Sequence, residues 1–176
     1  MDISNQNYFD MFSLPESFDI DADKLTTNYK ELQAQYHPDK SSGSDDATRL
    51  KALQTSSILN QAFDTLKSPL KRAAYLLNLQ GVDPEEHNQG HLSEALLLQQ
   101  MDWRDQLETA TVEEDLTVLD ALKQEAGKEQ DAGIEEFKSA LAALDYTSAK
   151  TAYHKLQFIE KFIREINRSE EKILDY

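Results

Sequence analysis

Cysteine is absent from all 176 residues, which excludes disulfides, thiolate metal sites and a cysteine nucleophile together. Glycine and proline are scarce, at 5 and 4 residues, so a strand-and-turn architecture is disfavoured and a helical chain is expected. Basic side chains are few: 18 Lys and Arg stand against 33 Asp and Glu, a net charge of −15. So acidic a surface repels phosphate backbones and anionic headgroups, and neither nucleic acid nor a membrane is an expected partner. No apolar run approaches the roughly 20 residues of a bilayer span. The opening Met1-Asp2-Ile3-Ser4 carries no targeting pattern, so a cytoplasmic protein is expected. No Gly-rich phosphate loop, nucleophile elbow or metal motif is present, and among so many carboxylates a neighbouring pair means nothing. The reading is of a non-enzyme with no cofactor and no metal. His87 and His91, four apart in a polar stretch, read as a solvated pair, and His154 is given no role.

What is present divides the chain. Residues 1–80 hold 11 acids and 8 bases, whereas residues 81–176 hold 22 and 10. The change falls near Gly81 and Pro84, which suit a helix end and its interruption. The expected organisation is a domain over 1–79, a linker over 80–90 and a second domain over 91–176. In the first half Asp21 caps a helix carrying Leu25, Tyr29, Leu32 and Tyr36, which must stop near His37 because Pro38 follows. A second long helix spans about Asp45 to Lys67, with Leu50, Leu53, Leu59, Ala62, Phe63 and Leu66 as its apolar positions. Ser68-Pro69 starts a short helix, and another lies around Tyr8–Phe12.

The second half reads as three helices. The first runs from about His91 to Thr109. A capping box at Thr111–Glu114 starts the second, with Leu116, Leu119, Leu122, Ala126, Phe137, Leu141 and Leu144 on one stripe. Gly127 and Gly133 weaken its middle by about 1 kcal/mol each relative to Ala. After Asp145 the third helix carries a seam of Ala149, Ala152, Leu156, Ile159, Ile163, Ile166 and Ile173. Alternating three-and-four spacing of this kind predicts an antiparallel coiled-coil-like bundle, and the fold class is all-α.

Tyr36-Gln-His37-Pro38-Asp39-Lys40 ends the first long helix, and Ile58-Leu-Asn-Gln-Ala-Phe-Asp-Thr-Leu66 leads into Ser68-Pro-Leu-Lys-Arg-Ala-Ala-Tyr75. This order resembles the J-domain of the DnaJ co-chaperones over residues 1 to about 79. With the Ala73–Leu77 segment, the acidic second half and the length, the chain is similar to the HscB family, J-proteins of bacterial iron–sulfur cluster assembly. It lacks the Gly/Phe-rich segment and cysteine repeats of DnaJ itself. The resemblance implies that His37, Pro38, Asp39 and Lys40 dock on a DnaK-type chaperone, HscA, and stimulate its ATP hydrolysis, with Lys24 and Lys30 as the basic residues before them. Asn28 and Gln35 are neutral on the same helix.

The first helix of the second half has too many apolar residues for one face. At about 100° per residue, Leu92, Leu96, Trp103 and Leu107 form a core stripe, while Leu97, Leu98 and Met101 lie on another arc roughly 150° away. Glu94, Asp105 and Glu108 share that second arc. Two readings stay open: the arc packs on the first domain, or it is an apolar, acid-rimmed surface for a partner. On the third helix, Phe158 falls outside the seam and is expected to point outward. By the HscB resemblance Leu97, Leu98, Met101, Asp102, Asp105 and Phe158 bind the iron–sulfur scaffold protein IscU. A J-protein of another pathway, with a different client on the acidic bundle, is the alternative.

Overall fold

The computed structural model describes residues 6–36, 46–85 and 94–175. Among them the secondary structure is seven helices: α1 (Tyr8–Met11), α2 (Ala22–Gln35), α3 (Asp46–Lys67), α4 (Pro69–Leu79), α5 (Glu94–Val112), α6 (Leu116–Ala142) and α7 (Tyr146–Leu174). Contacts divide the chain into one unit over Met1–Gly81 and another over Val82–Tyr176.

In the first unit α1, α2 and α4 each start at a side-chain cap. Asn7, Asp21 and Ser68 accept from the amides of Asp10, Lys24 and Lys71 at 2.8, 2.9 and 3.3 Å. The core collects Phe9, Phe12, Leu14 and Phe18 from the N-terminal segment with Leu25 of α2, Leu59, Ala62 and Leu66 of α3, and Ala73, Leu76 and Leu77 of α4. Arg72 is buried among them. Its Nη1 donates to the Leu66 carbonyl at 2.6 Å and its guanidinium lies 4.9 Å over the Phe18 ring, tying α4 to the end of α3 and to the segment before α2. Burial lowers its pKa, against the raising influence of Asp19. Leu50 and Leu53 depart from the expected apolar stripe of α3, being 57% and 55% exposed. The buried positions of α3 start only at Thr55 and Leu59.

In the second unit α6 and α7 are the long antiparallel pair, since Lys123 meets Glu170 at 2.8 Å and Lys155 meets Glu136 at 3.3 Å. The shorter α5 runs parallel to α7: Trp103 stacks on Phe162, and Thr111 Oγ1 lies 3.1 Å from Ser169 Oγ two turns further on. Ala149, Ala152, Leu156, Ile159 and Ile166 of the expected seam are buried, and Phe162 joins them.

Both turns of the bundle are built alike, and both correct the sequence reading. The helix α5 runs through Thr111, whose hydroxyl donates to the Leu107 carbonyl at 2.7 Å instead of capping α6. Glu114 takes φ +55° and the Asp115 amide reaches back to the Ala110 carbonyl at 2.9 Å, closing a Schellman turn. Asp115 then caps α6 through the amides of Thr117 and Val118. At the other end Leu144 takes φ +58°, the Asp145 amide reaches the Ala140 carbonyl at 2.9 Å, and Asp145 caps α7 through Ser148. Leu144 therefore leaves the α6 stripe and stands 69% exposed in the turn.

The two glycines inside α6 differ. A Cβ on Gly127 meets nothing within 4 Å, whereas one on Gly133 would lie 3.0 Å from Leu156 Cδ2. Gly133 is thus a close approach of α6 to α7, and Gly127 is only a weak helix position. Gly127→Ala should stabilise the protein by about 1 kcal/mol, and Leu144→Gly should add about 1 kcal/mol by removing a left-handed strain. Gly133→Ala should fall short of Gly127→Ala. Denaturant melts of the three variants check the ranking, and an equal gain at both glycines would contradict the close approach.

Candidate functional site

One residue decides the orientation of α5. Trp103 is 1% exposed, its ring stacks on Phe162 of α7 at 4.9 Å, and its Nε1–H donates to Glu125 Oε1 of α6 at 3.1 Å. A single side chain thereby grips both long helices and sets the rotation of α5 about its axis. Leu107 and Ala110 continue the buried stripe. At about 100° per residue, Met101 and Asp105 point about 160° away from Trp103, Leu98 about 140° and Leu97 about 120°. Leu97, Leu98 and Met101 are accordingly 46%, 59% and 64% exposed. Asp102, Asp105, Glu94 and Glu108 are exposed beside them. The Asp102 carboxylate accepts from Gln106 Nε2 at 2.7 Å, which lays it along the helix.

Two expectations for this surface are corrected. Leu96 is half-buried, because it lines an open groove of about 550 Å³ beside the small Ala95 and Ala152, with Lys155 at its edge. Leu92, its expected partner, lies outside the described residues. Phe158 does not point freely outward. It is half-buried, with its ring 6.0 Å from both Trp103 and Phe162 at interplanar angles of 21° and 15°. Phe162 faces α5, and Phe158, one turn earlier, shares that side. The ring is the half-open end of a three-ring stack rooted in the core.

The segment His37, Pro38, Asp39 and Lys40 lies outside the described residues. Lys24 and Lys30 are exposed on α2. Asn28 carries a structural bond where a base could have stood, its Nδ2 donating to the Phe12 carbonyl at 2.6 Å. His154, passed over in the sequence, lies 2.8 Å from the Pro84 carbonyl through Nε2. Among the described residues no group of three or more His, Asp or Glu is placed to hold a metal, and no helix is long and apolar enough to cross a membrane. His87 and His91 lie outside those residues.

A four-helix N-terminal unit followed by a bundle with an exposed apolar row corresponds to a J-domain co-chaperone. The family described as "DnaJ domain" matches residues 7–75, and that described as "HSCB C-terminal oligomerisation domain" matches residues 92–167. The co-chaperone protein HscB homolog of Paraburkholderia phytofirmans is 37% identical, over 96% of this chain and 97% of its own. That of Aeromonas salmonicida is 34% identical over 96% and 99%. The structure of chaperone HscB from Vibrio cholerae superposes with a TM-score of 0.85 at 32% identity, covering 96% of this chain and 99% of that one. Human co-chaperone protein HscB gives a TM-score of 0.86 at 25% identity, covering 93% and 82%. The chain belongs to the HscB co-chaperone family, which is not a class of enzymes.

The burial pattern separates stability from exposure. Leu97→Ala, Leu98→Ala and Met101→Ala should each shift stability by no more than about 0.5 kcal/mol. Trp103→Ala should cost about 3–5 kcal/mol, and half-buried Phe158→Ala about 1–2 kcal/mol. Urea melts of single variants test this order, and a Met101 variant as damaging as the Trp103 one would contradict the orientation of α5.

Proposed function

We propose that the protein is a cytoplasmic co-chaperone of bacterial iron–sulfur cluster assembly, which stimulates ATP hydrolysis by the DnaK-type chaperone HscA and delivers the scaffold protein IscU to it. The observation that carries this reading is the row Leu97, Leu98 and Met101, exposed on a helix whose other face is locked into the bundle. Apolar side chains held in solvent by a buried tryptophan suit a partner surface. Met101 adds an adaptable contact, and Phe158 an aromatic platform at the open end of its stack. Asp102 and Asp105 rim the surface and favour capture of a basic partner. In the first unit His37, Pro38, Asp39 and Lys40 make the chaperone contact, with Lys24 and Lys30 supplying positive charge from α2. An aspartate such as Asp39 can accept from a partner arginine, and a proline such as Pro38 lowers the backbone entropy lost on docking. Steering from α2 is weak, because two bases stand among Asp23 and Glu31 on an exposed surface.

Each half of the proposal has its own measurement. His37→Gln or Asp39→Asn should abolish stimulation of the chaperone ATPase while leaving scaffold binding intact; stimulation equal to the parent's would remove the assignment. Leu97→Ala, Leu98→Ala, Met101→Ala and Phe158→Ala should each weaken scaffold binding by about 1–3 kcal/mol in a calorimetric titration. Asp102→Asn and Asp105→Asn should slow association and flatten its salt dependence more than they shorten the lifetime of the complex. Unchanged scaffold affinity across the four apolar variants would assign the bundle to a different client.

A further inference from the structure

Four of the ten bases in residues 81–176 share one face of α7. Lys161, Arg164, Arg168 and Lys172 recur at intervals of three and four, and all are exposed. Phe162 and Ser169 mark the side of α7 that meets α5, through Trp103 and Thr111, and buried Ile159 and Ile166 mark the side toward the core. At about 100° per residue the four bases fall about 80° to 160° round the helix from Phe162, on the side away from Ile159 and Ile166. They form a row about 16 Å long at 1.5 Å rise per residue. Local roles account for only part of it. Arg164 Nη1 pairs with Glu160 at 2.6 Å, and Lys161 pairs more loosely with Glu165 at 3.9 Å, each one turn along the helix. Lys172 lies in the last turn, where a cation meets the negative end of the helix dipole. Arg168 precedes that turn, and neither it nor Lys172 makes an ion pair among the described residues. Elsewhere on the bundle Lys123 and Lys155 meet carboxylates at 2.8 and 3.0 Å. In a half so rich in acid, two adjacent cations left open on one face are positive charge without a counterpart.

We propose that the row Lys161, Arg164, Arg168 and Lys172 is a docking face for an acidic peptide segment of a partner protein. Arg164 and Arg168 present planar forks that carboxylates engage in pairs, and Lys161 and Lys172 present point charges at the two ends. At about 3.3 Å per residue an extended segment of about five residues covers the row. Glu160, Glu165, Glu171 and Asp175 border it, so the positive charge is discrete. That pattern suits carboxylates spaced along a peptide better than the uniform charge of a phosphodiester strand, which the net charge of −15 also repels. The inference does not rest on the proposed function, because the α5 row is rimmed by acids and calls for a partner of the opposite sign.

Fluorescence anisotropy of a labelled hexaglutamate peptide titrated with the full chain tests the face. Binding should saturate at low ionic strength, weaken as salt is added, and be absent for hexaglutamine. The double variant Arg168→Gln, Lys172→Gln alters only exposed side chains and should bind hexaglutamate about tenfold more weakly. Lys128→Gln, Lys138→Gln makes the same change of net charge on α6 and should bind as the parent does. An equal loss in the two variants, or no binding at low ionic strength, overturns the docking face. Tighter binding of a hexathymidylate strand than of hexaglutamate overturns the peptide as its occupant. Sedimentation of the protein alone adds a further check: a dimer at low ionic strength that Arg168→Gln, Lys172→Gln abolishes would give the face to a second copy of this chain and overturn the proposal.

Discussion

The second unit depends on the burial of one indole. Trp103 reaches α7 by stacking on Phe162 and α6 by a hydrogen bond to Glu125, so α5 cannot rotate without losing both. A helix held at one azimuth has its other residues assigned by geometry. Two residues earlier, Met101 must face away, and with it Leu97, Leu98 and Asp105. Were α5 held only by interchangeable leucines, its rotation about its axis would be less sharply fixed. The aromatic stack removes that freedom and extends through Phe158, so the same interaction that closes the core also supplies the half-exposed ring beside it.

The seam of α7 was legible because its three-and-four spacing persists from Ala149 to Ile166, and spacing is what burial leaves behind in a sequence. The cap at Asp21 and the Ser68-Pro69 start were legible for a similar reason: their chemistry is local. What failed was also local, but ambiguous. Thr111–Glu114 has the composition of a capping box, yet Glu114 adopts a left-handed conformation that ordinarily calls for glycine, and this moves the cap to Asp115. Leu144 misleads in the same way, since nothing in a leucine announces a positive φ. Leu50 and Leu53 fit the helical period, yet they stand exposed, and a period alone does not say which of its turns another element covers.

The candidate surface shows a finer division. Leu97, Leu98 and Met101 follow from a wheel once Trp103 is taken as the inward reference. Phe158 does not, because an a/d seam counts positions on its own helix and is blind to a third helix approaching from the side. Phe162, four residues later, was the available signal: two aromatics one turn apart mark a face wide enough to receive another ring. The contacts of Tyr153, His154 and Gln157 with Pro84 and Glu85 had no signal at all, since they join positions about 70 residues apart through polar atoms that periodicity ignores.

The charge asymmetry has a colloidal consequence for the exposed row on α5. Three large apolar side chains in solvent are an invitation to self-adhesion, and the same helix is flanked by carboxylates in a half of the chain that holds 22 acids and 10 bases. Two such surfaces approaching each other bring like charge together before any apolar contact forms, whereas a basic surface meets no such barrier. The excess of acid thus opposes contact between two copies of the row and favours a basic surface. Its range is about 10 Å at 0.1 M salt and shrinks as salt is added. The barrier to contact between two such surfaces is therefore highest at low ionic strength.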